Sequence, residues 1–204
     1  MSVMQGSPPP LDKRVTLDNW DLPPFNRWSF QNMRRVLPTA EIRRAEGPES
    51  ALEAAPRDLS GLSFETAEGG RSTIAAFLDE TYSDGFLVLH QGRLITEQYF
   101  NGMTQASLHL AQSVTKSVVG TVAGIMIHRG VLDATAPLAD IIPELEGTGY
   151  GDATTSQILS MISGIGFSEE YGLAGSDIST WEEIAGWRPR PQEGDLPASL
   201  YEWI

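Results

Sequence analysis

Residues 85 to 100 constrain the fold more than any other part of this sequence. Gly85-Phe86-Leu87-Val88-Leu89-His90 is a short apolar run that reads as a β-strand. Gln91-Gly92 supplies a turn, and Arg93-Leu94-Ile95-Thr96-Glu97-Gln98-Tyr99-Phe100 reads as the return strand. A hairpin alone is at best marginally stable in water, so this one needs further strands or a helix to pack on. The segments around it are helical in pattern. Ser72-Thr73-Ile74-Ala75-Ala76-Phe77-Leu78-Asp79 predicts a helix with Ser72 as its cap and Ile74, Phe77 and Leu78 on one face. Residues 113 to 129 predict a long helix, apolar almost all round and therefore expected to be buried. Gly130 is its natural stop. Ile141-Ile142-Pro143-Glu144-Leu145 reads as a compact apolar loop. Residues 155 to 161 read as a helix stopped by Ser163-Gly164, and residues 181 to 186 and 198 to 204 look helical. The pattern is that of an α+β fold.

The region before residue 73 has a different texture. Residues 1 to about 15 are Pro-rich. Trp20, Phe25, Trp28, Phe30 and Met33 then crowd into a stretch punctuated by prolines, which suggests an arm packed over a body. Residues 44 to 72 are rich in Glu, Gly, Ala and Ser and read as a linker. The expected organisation is an arm and linker over residues 1–72 and one domain over residues 73–204. Ser199-Leu200-Tyr201-Glu202-Trp203-Ile204 carries no stop signal, so the domain reads as incomplete.

Composition narrows the functional classes. The net charge of −13 argues against nucleic acid or an anionic membrane as main partner, because both need a basic face. With no cysteine, disulfides and thiolate metal sites are excluded. No basic start with a following apolar run is present at the N-terminus, and no apolar segment reaches the roughly 20 residues of a membrane span. A cytoplasmic location is the expectation.

The residues that point to chemistry are Ser113-Val114-Thr115-Lys116. Positions i and i+3 are neighbours on a helix, so the serine hydroxyl lies beside the ammonium one turn on. A helix N-terminus adds free backbone N–H groups and a positive partial charge, which favour negative charge developing at an attacked carbonyl. A serine becomes a good nucleophile when a base takes its proton, and a lysine serves when its surroundings disfavour the charged form. The following Ser117-Val118-Val119-Gly120-Thr121-Val122-Ala123-Gly124 is apolar enough to suggest this. Of the 14 basic residues only Lys13 and Lys116 are lysines, and arginine does not usefully lose its proton. The plainer alternative is that Ser113 caps the helix and Lys116 extends its head to solvent.

The order of segments resembles the β-lactamase-related serine hydrolases, which include class C β-lactamases, D-alanyl-D-alanine peptidases and related esterases. The hairpin from Gly85 to Phe100 precedes a motif, Ser113-Val114-Thr115-Lys116-Ser117, that resembles the family's nucleophile. Gly130-Val131-Leu132-Asp133, the run from Ala136 to Leu145, and Thr155 to Gly164 resemble the segments that follow. Thr16-Leu17-Asp18-Asn19-Trp20, Pro23-Pro24-Phe25-Asn26-Arg27-Trp28 and Ala185-Gly186-Trp187-Arg188 are similar to the branch of 6-aminohexanoate-dimer hydrolases, which cleave nylon oligomers and also act as esterases. The resemblance implies a β-lactamase/transpeptidase-like fold, an antiparallel sheet flanked by helices with a helical subdomain. It implies an acyl-enzyme reaction on a small linear amide or ester, with Ser113 as nucleophile, Lys116 as base and the Ser113 N–H as one oxyanion donor. No metal or organic cofactor is implied.

Two expected parts do not occur. The family's Tyr-x-Asn-type motif, whose tyrosine shares proton transfer with the lysine, is missing, as is the Lys/His-Thr-Gly-type strand. Both lie beyond residue 204 in the expected order, so this reads as a C-terminally truncated member lacking its last strands. The alternatives are a non-catalytic binding module derived from the family, or a chain completed by a second copy or a complementing chain. By position in the nylon-oligomer branch, Tyr171 resembles a cleft-lining tyrosine and Glu182 an acidic residue near the substrate amine. A packing tyrosine and a solvated helix charge, with Glu183 beside it, are the plainer alternatives. His109 lies four residues before Ser113, but Lys116 already supplies a base and no G-x-S-x-G elbow is present.

Overall fold

The turn that the hairpin requires is built from two left-handed residues, Gln91 (φ +50°) and Gly92 (φ +77°), the pairing that matches the twist of tightly connected strands. The computed structural model describes residues 2–44, 46–191, 194 and 196–204. Contacts divide it into two units, Met1–Leu110 and Ala111–Ile204. The arm, the stretch read as a linker and the hairpin fall in the first unit.

In the first unit, residues of the arm form a short helix α1 (Asn26–Ser29). Trp20 is 1% exposed, and its ring packs on Phe30 with centroids 6.2 Å apart. Ser29 is fully buried and donates its hydroxyl proton to the Trp20 carbonyl, which satisfies both polar groups. Three short strands lie in the stretch read as linker: β1 (Glu53–Ala54), β2 (Ser63–Glu65) and β3 (Arg71–Thr73). They are too short for an alternating pattern to show. The helix α2 (Ile74–Glu80) follows, capped by Thr73, whose hydroxyl accepts from the Ala76 N–H, not by Ser72. Leu78 is buried, while Phe77 packs edge-on against Phe64 at 5.8 Å.

The hairpin strands are β4 (Gly85–His90) and β5 (Arg93–Tyr99). Their antiparallel register runs from Gly85 opposite Tyr99 to His90 opposite Arg93, with a bulge between Val88 and Leu89. β1 pairs with the other edge of β5 in parallel, Glu53 opposite Arg93, so the strand order is β1-β5-β4 and the sheet is mixed, not antiparallel. β2 and β3 form a separate antiparallel pair.

The second unit begins with α3 (Val114–His128). Gly130 (φ +68°) ends it: the Val131 N–H reaches the Met126 carbonyl and the Gly130 N–H the Ile127 carbonyl, a Schellman arrangement. The expected loop at residues 141–145 is instead α4 (Leu138–Ile141) followed by a 3₁₀ turn over Pro143–Leu145, which buries Leu145. A side chain at Gly151 would run into the Leu145 carbonyl oxygen, so the close approach needs glycine there. α5 (Thr155–Leu159) starts with a reciprocal capping box between Thr154 and Gln157. α6 (Asp177–Ile184) is capped by Ser176 and buries Ile184, and α7 (Leu200–Trp203) is capped by Ser199.

The expectation that fails most clearly concerns α3. No residue of this helix is buried, and Val114, Val118, Val119, Val122 and Ile125 are all exposed. An all-round apolar sequence states what a helix can bury, but burial needs neighbours on every face, and the described residues of this chain do not supply them.

Candidate active site

The approach to α3 is strained. Gln112 sits at φ +45°, a conformation that residues with a side chain seldom adopt and that clusters at functional sites. Ser113 follows at φ −66°, ψ −12°, already helical, and its side chain makes no capping hydrogen bond. Instead its Oγ accepts a hydrogen bond from Lys116 Nζ at 3.2 Å. The cap alternative is thereby set aside for the hydroxyl, and the i, i+3 neighbourhood is realised. With the lysine neutral, the same contact runs the other way, the serine O–H donating to Nζ, which is the arrangement a general base needs.

The backbone donors at this helix start are fewer than expected. The N–H groups of Val114, Thr115 and Lys116 donate to the carbonyls of Ala111, Gln112 and Ser113 at 3.0, 3.1 and 3.0 Å. Three of the four first-turn donors are thus used in a tight turn. The Ser113 N–H takes no partner among the described residues. Lys116 and Ser113 are both exposed. The apolar enclosure expected around the lysine is absent for the reason given for α3.

Tyr171 is 70% exposed, in a turn where its N–H donates to the Glu169 carbonyl. Glu182 lies in α6 with only 14% of its side chain exposed and accepts from Arg188 Nε at 3.3 Å. Beside this pair Trp181 and Trp187 stack edge to face at 5.0 Å. No hydrogen bond or ion pair among the described residues joins Tyr171 or Glu182 to Ser113 or Lys116, so Ser113 and Lys116 are the two site candidates that the structure brings together. Among the described residues no three His, Cys, Asp or Glu side chains converge as a metal-ion site, and no helix is long and apolar enough to cross a membrane.

A cluster in the first unit escaped the sequence. Asp84, at the entrance to β4, is 6% exposed and accepts from Gln31 Nε2 at 2.9 Å. Its Oδ2 also lies 3.1 Å from His109 Nε2. These partners lie 53 and 25 residues away in the chain, so no local pattern could signal them. His109, the lone histidine near Ser113, therefore turns its ring to Asp84.

Residues 70–199 match the model of the Beta-lactamase family, and the chain belongs to that family. It is 36% identical over 189 residues to a 6-aminohexanoate-dimer hydrolase of Paenarthrobacter ureafaciens, a match covering 93% of this chain and 46% of that protein. In fold it is similar to a Bacillus anthracis protein provisionally named as a 6-aminohexanoate-dimer hydrolase, with a TM-score of 0.82 and 24% identity over 95% of this chain and 50% of the other. The fold is therefore of the β-lactamase/transpeptidase type. The chain spans about half the length of each of these proteins.

Proposed function

We propose that this chain carries the nucleophile half of a serine hydrolase that cleaves amides or esters through an acyl-enzyme. The observation that carries the reading is the 3.2 Å contact between Ser113 Oγ and Lys116 Nζ at the head of α3 in a Beta-lactamase family member. Ser113 Oγ attacks the carbonyl carbon, its proton passes to neutral Lys116, and the Ser113 N–H receives the developing oxyanion. The protonated lysine returns its proton to the leaving amine or alcohol. Water then releases the acyl group from Ser113. A small linear amide of the 6-aminohexanoate kind is the substrate class favoured by the named relative. Tyr171 and Glu182 are its candidate binding residues, the latter held by Arg188.

The exposed valines of α3 bear on what covers this helix. Exposed valines along fifteen residues are costly in water. The part of the fold that the relatives carry outside the matched half is the proposed cover, and it would also supply the tyrosine of the proton relay. A second reading, a non-catalytic interaction module, draws on the same exposure.

Intact-mass spectrometry after treatment with a fluorophosphonate distinguishes them. A single adduct that disappears in Ser113→Ala supports the nucleophile. Lys116→Ala should slow the labelling about 10²–10⁴-fold, the usual loss of a general base. Adduct formation that persists in Ser113→Ala would sink the assignment, and absence of any adduct would favour the interaction module.

A further inference from the structure

The first unit contains a cavity of about 440 Å³ that the proposed reaction does not use. Every residue lining it belongs to Met1–Leu110. Phe30, Tyr82 and Met103 give it apolar walls, and Asn26, Arg27 and Asp84 are among its polar residues. That size, with apolar walls and a few polar groups, is typical of a small-molecule site.

Two acceptors on residues of this lining are unmet. Asp84 has only 3% of its side chain exposed. Its Oδ2 accepts from Gln31 Nε2 at 2.9 Å and lies 3.1 Å from His109 Nε2. Its Oδ1 is buried with no hydrogen-bond partner. Asn26 Oδ1, at the start of α1, is likewise buried and unpartnered. Native proteins leave few such oxygens unpaired, because an unmet buried acceptor forfeits its hydration without return. Both residues border one cavity, so a single bound molecule carrying N–H donors answers both. The cation of the lining does not do so: the Arg27 guanidinium stands over the Tyr82 ring, 4.7 Å from its centroid, and makes no ion pair with Asp84. Tyr82 itself has φ +55°, a left-handed backbone that is rare for a bulky residue and clusters at ligand clamps.

We propose that this cavity binds a small organic ammonium ion, a primary amine on a flat apolar body, whose N–H donors meet Asp84 and Asn26 while Phe30, Tyr82 and Met103 cover the body. A charged donor is favoured over a neutral one because the acceptor is a carboxylate. The faces of the two aromatic rings attract a cation as well. The site lies wholly within the first unit and does not rest on the reading of Ser113 as nucleophile.

The test titrates the full 204-residue chain with benzylammonium chloride and follows the backbone amide NMR shifts. Benzyl alcohol and benzoate serve as neutral and anionic ligands with the same ring. Two variants go with them. Asp84→Asn removes the charge, and Thr81→Trp sets a large ring at an exposed position of the lining, where it should block entry. Saturable shifts centred on residues 81–85 and 103 are expected. Benzylammonium should bind about tenfold or more tighter than either comparison ligand, the usual share of a hydrogen bond to a charged group. Each substitution should weaken benzylammonium binding by a similar factor. If Asp84→Asn does not fold, Thr81→Trp and the three ligands on the parent chain decide the question. Equal affinity for benzyl alcohol, shifts centred away from the cavity, or undiminished binding in Thr81→Trp would overturn the site. So would a lack of saturation by roughly 20 mM, a level that even weak specific binding exceeds, and water alone would then meet the two oxygens.

Discussion

The N-terminal arm and helix α3 reverse the relation expected between regular structure and burial. The arm is short of regular structure and broken by prolines, yet it contains Trp20, 1% exposed, and the fully buried Ser29. Helix α3 is the longest regular element described, yet none of its residues is buried. Backbone hydrogen bonds within a helix are satisfied locally, so α3 forms without being covered. Burial depends on what lies alongside. The arm is surrounded by its own unit, whereas α3 is only half-buried at Gly120, Ala123 and Ile127 and exposed along the rest of its length.

That contrast can be broken by mutation. The largest expected effect is on the arm side: Trp20→Ala should cost about 3–5 kcal/mol in urea denaturation, the usual loss for a large buried aromatic, and a loss below about 1 kcal/mol would mean the arm does not pack in solution. Next comes Thr154→Ala, which removes a capping box and should cost about 1 kcal/mol in the same measurement. On the helix side, Val118→Ser and Val122→Ser should change stability by no more than about 0.5 kcal/mol, as for exposed positions, and should lower binding of a hydrophobic dye. A loss of 2 kcal/mol or more there would show that α3 is covered, for instance by a second copy of the chain, which sedimentation would reveal.

The smallest effect is electrostatic. Thr135 donates its hydroxyl and its N–H to Asp133, which holds the Asp133 carboxyl below its ordinary value. A depressed carboxyl favours the folded state above the unfolded value, near 3.8, and that contribution is lost as pH falls through the folded one. Thr135→Val should therefore move the acid-unfolding midpoint slightly upward, measured by circular dichroism, with no change at pH 7.

Local chemistry was legible where a few adjacent residues decide the outcome. The hairpin with its Gln91-Gly92 turn, the Gly130 stop, the packed Trp20 and the Ser113–Lys116 neighbourhood all follow from spacing of four residues or fewer, or from hydrophobicity and steric preference. The helix starts were placed less well, because Ser72 and Thr73 are both good caps and only the backbone at Thr73 is extended. Strands of two or three residues offered no period to detect, and the parallel partner of β5 comes from about forty residues upstream.

By itself, the sequence determined the family segments in their order and the pairing of a serine with a lysine one helical turn away, since both depend on short-range geometry. Only the tertiary structure decided that His109 faces Asp84, that Glu182 is engaged by Arg188, and that α3 stands uncovered. Contacts of this kind join residues that the chain brings together from a distance, or depend on neighbours that a helix's own pattern cannot specify.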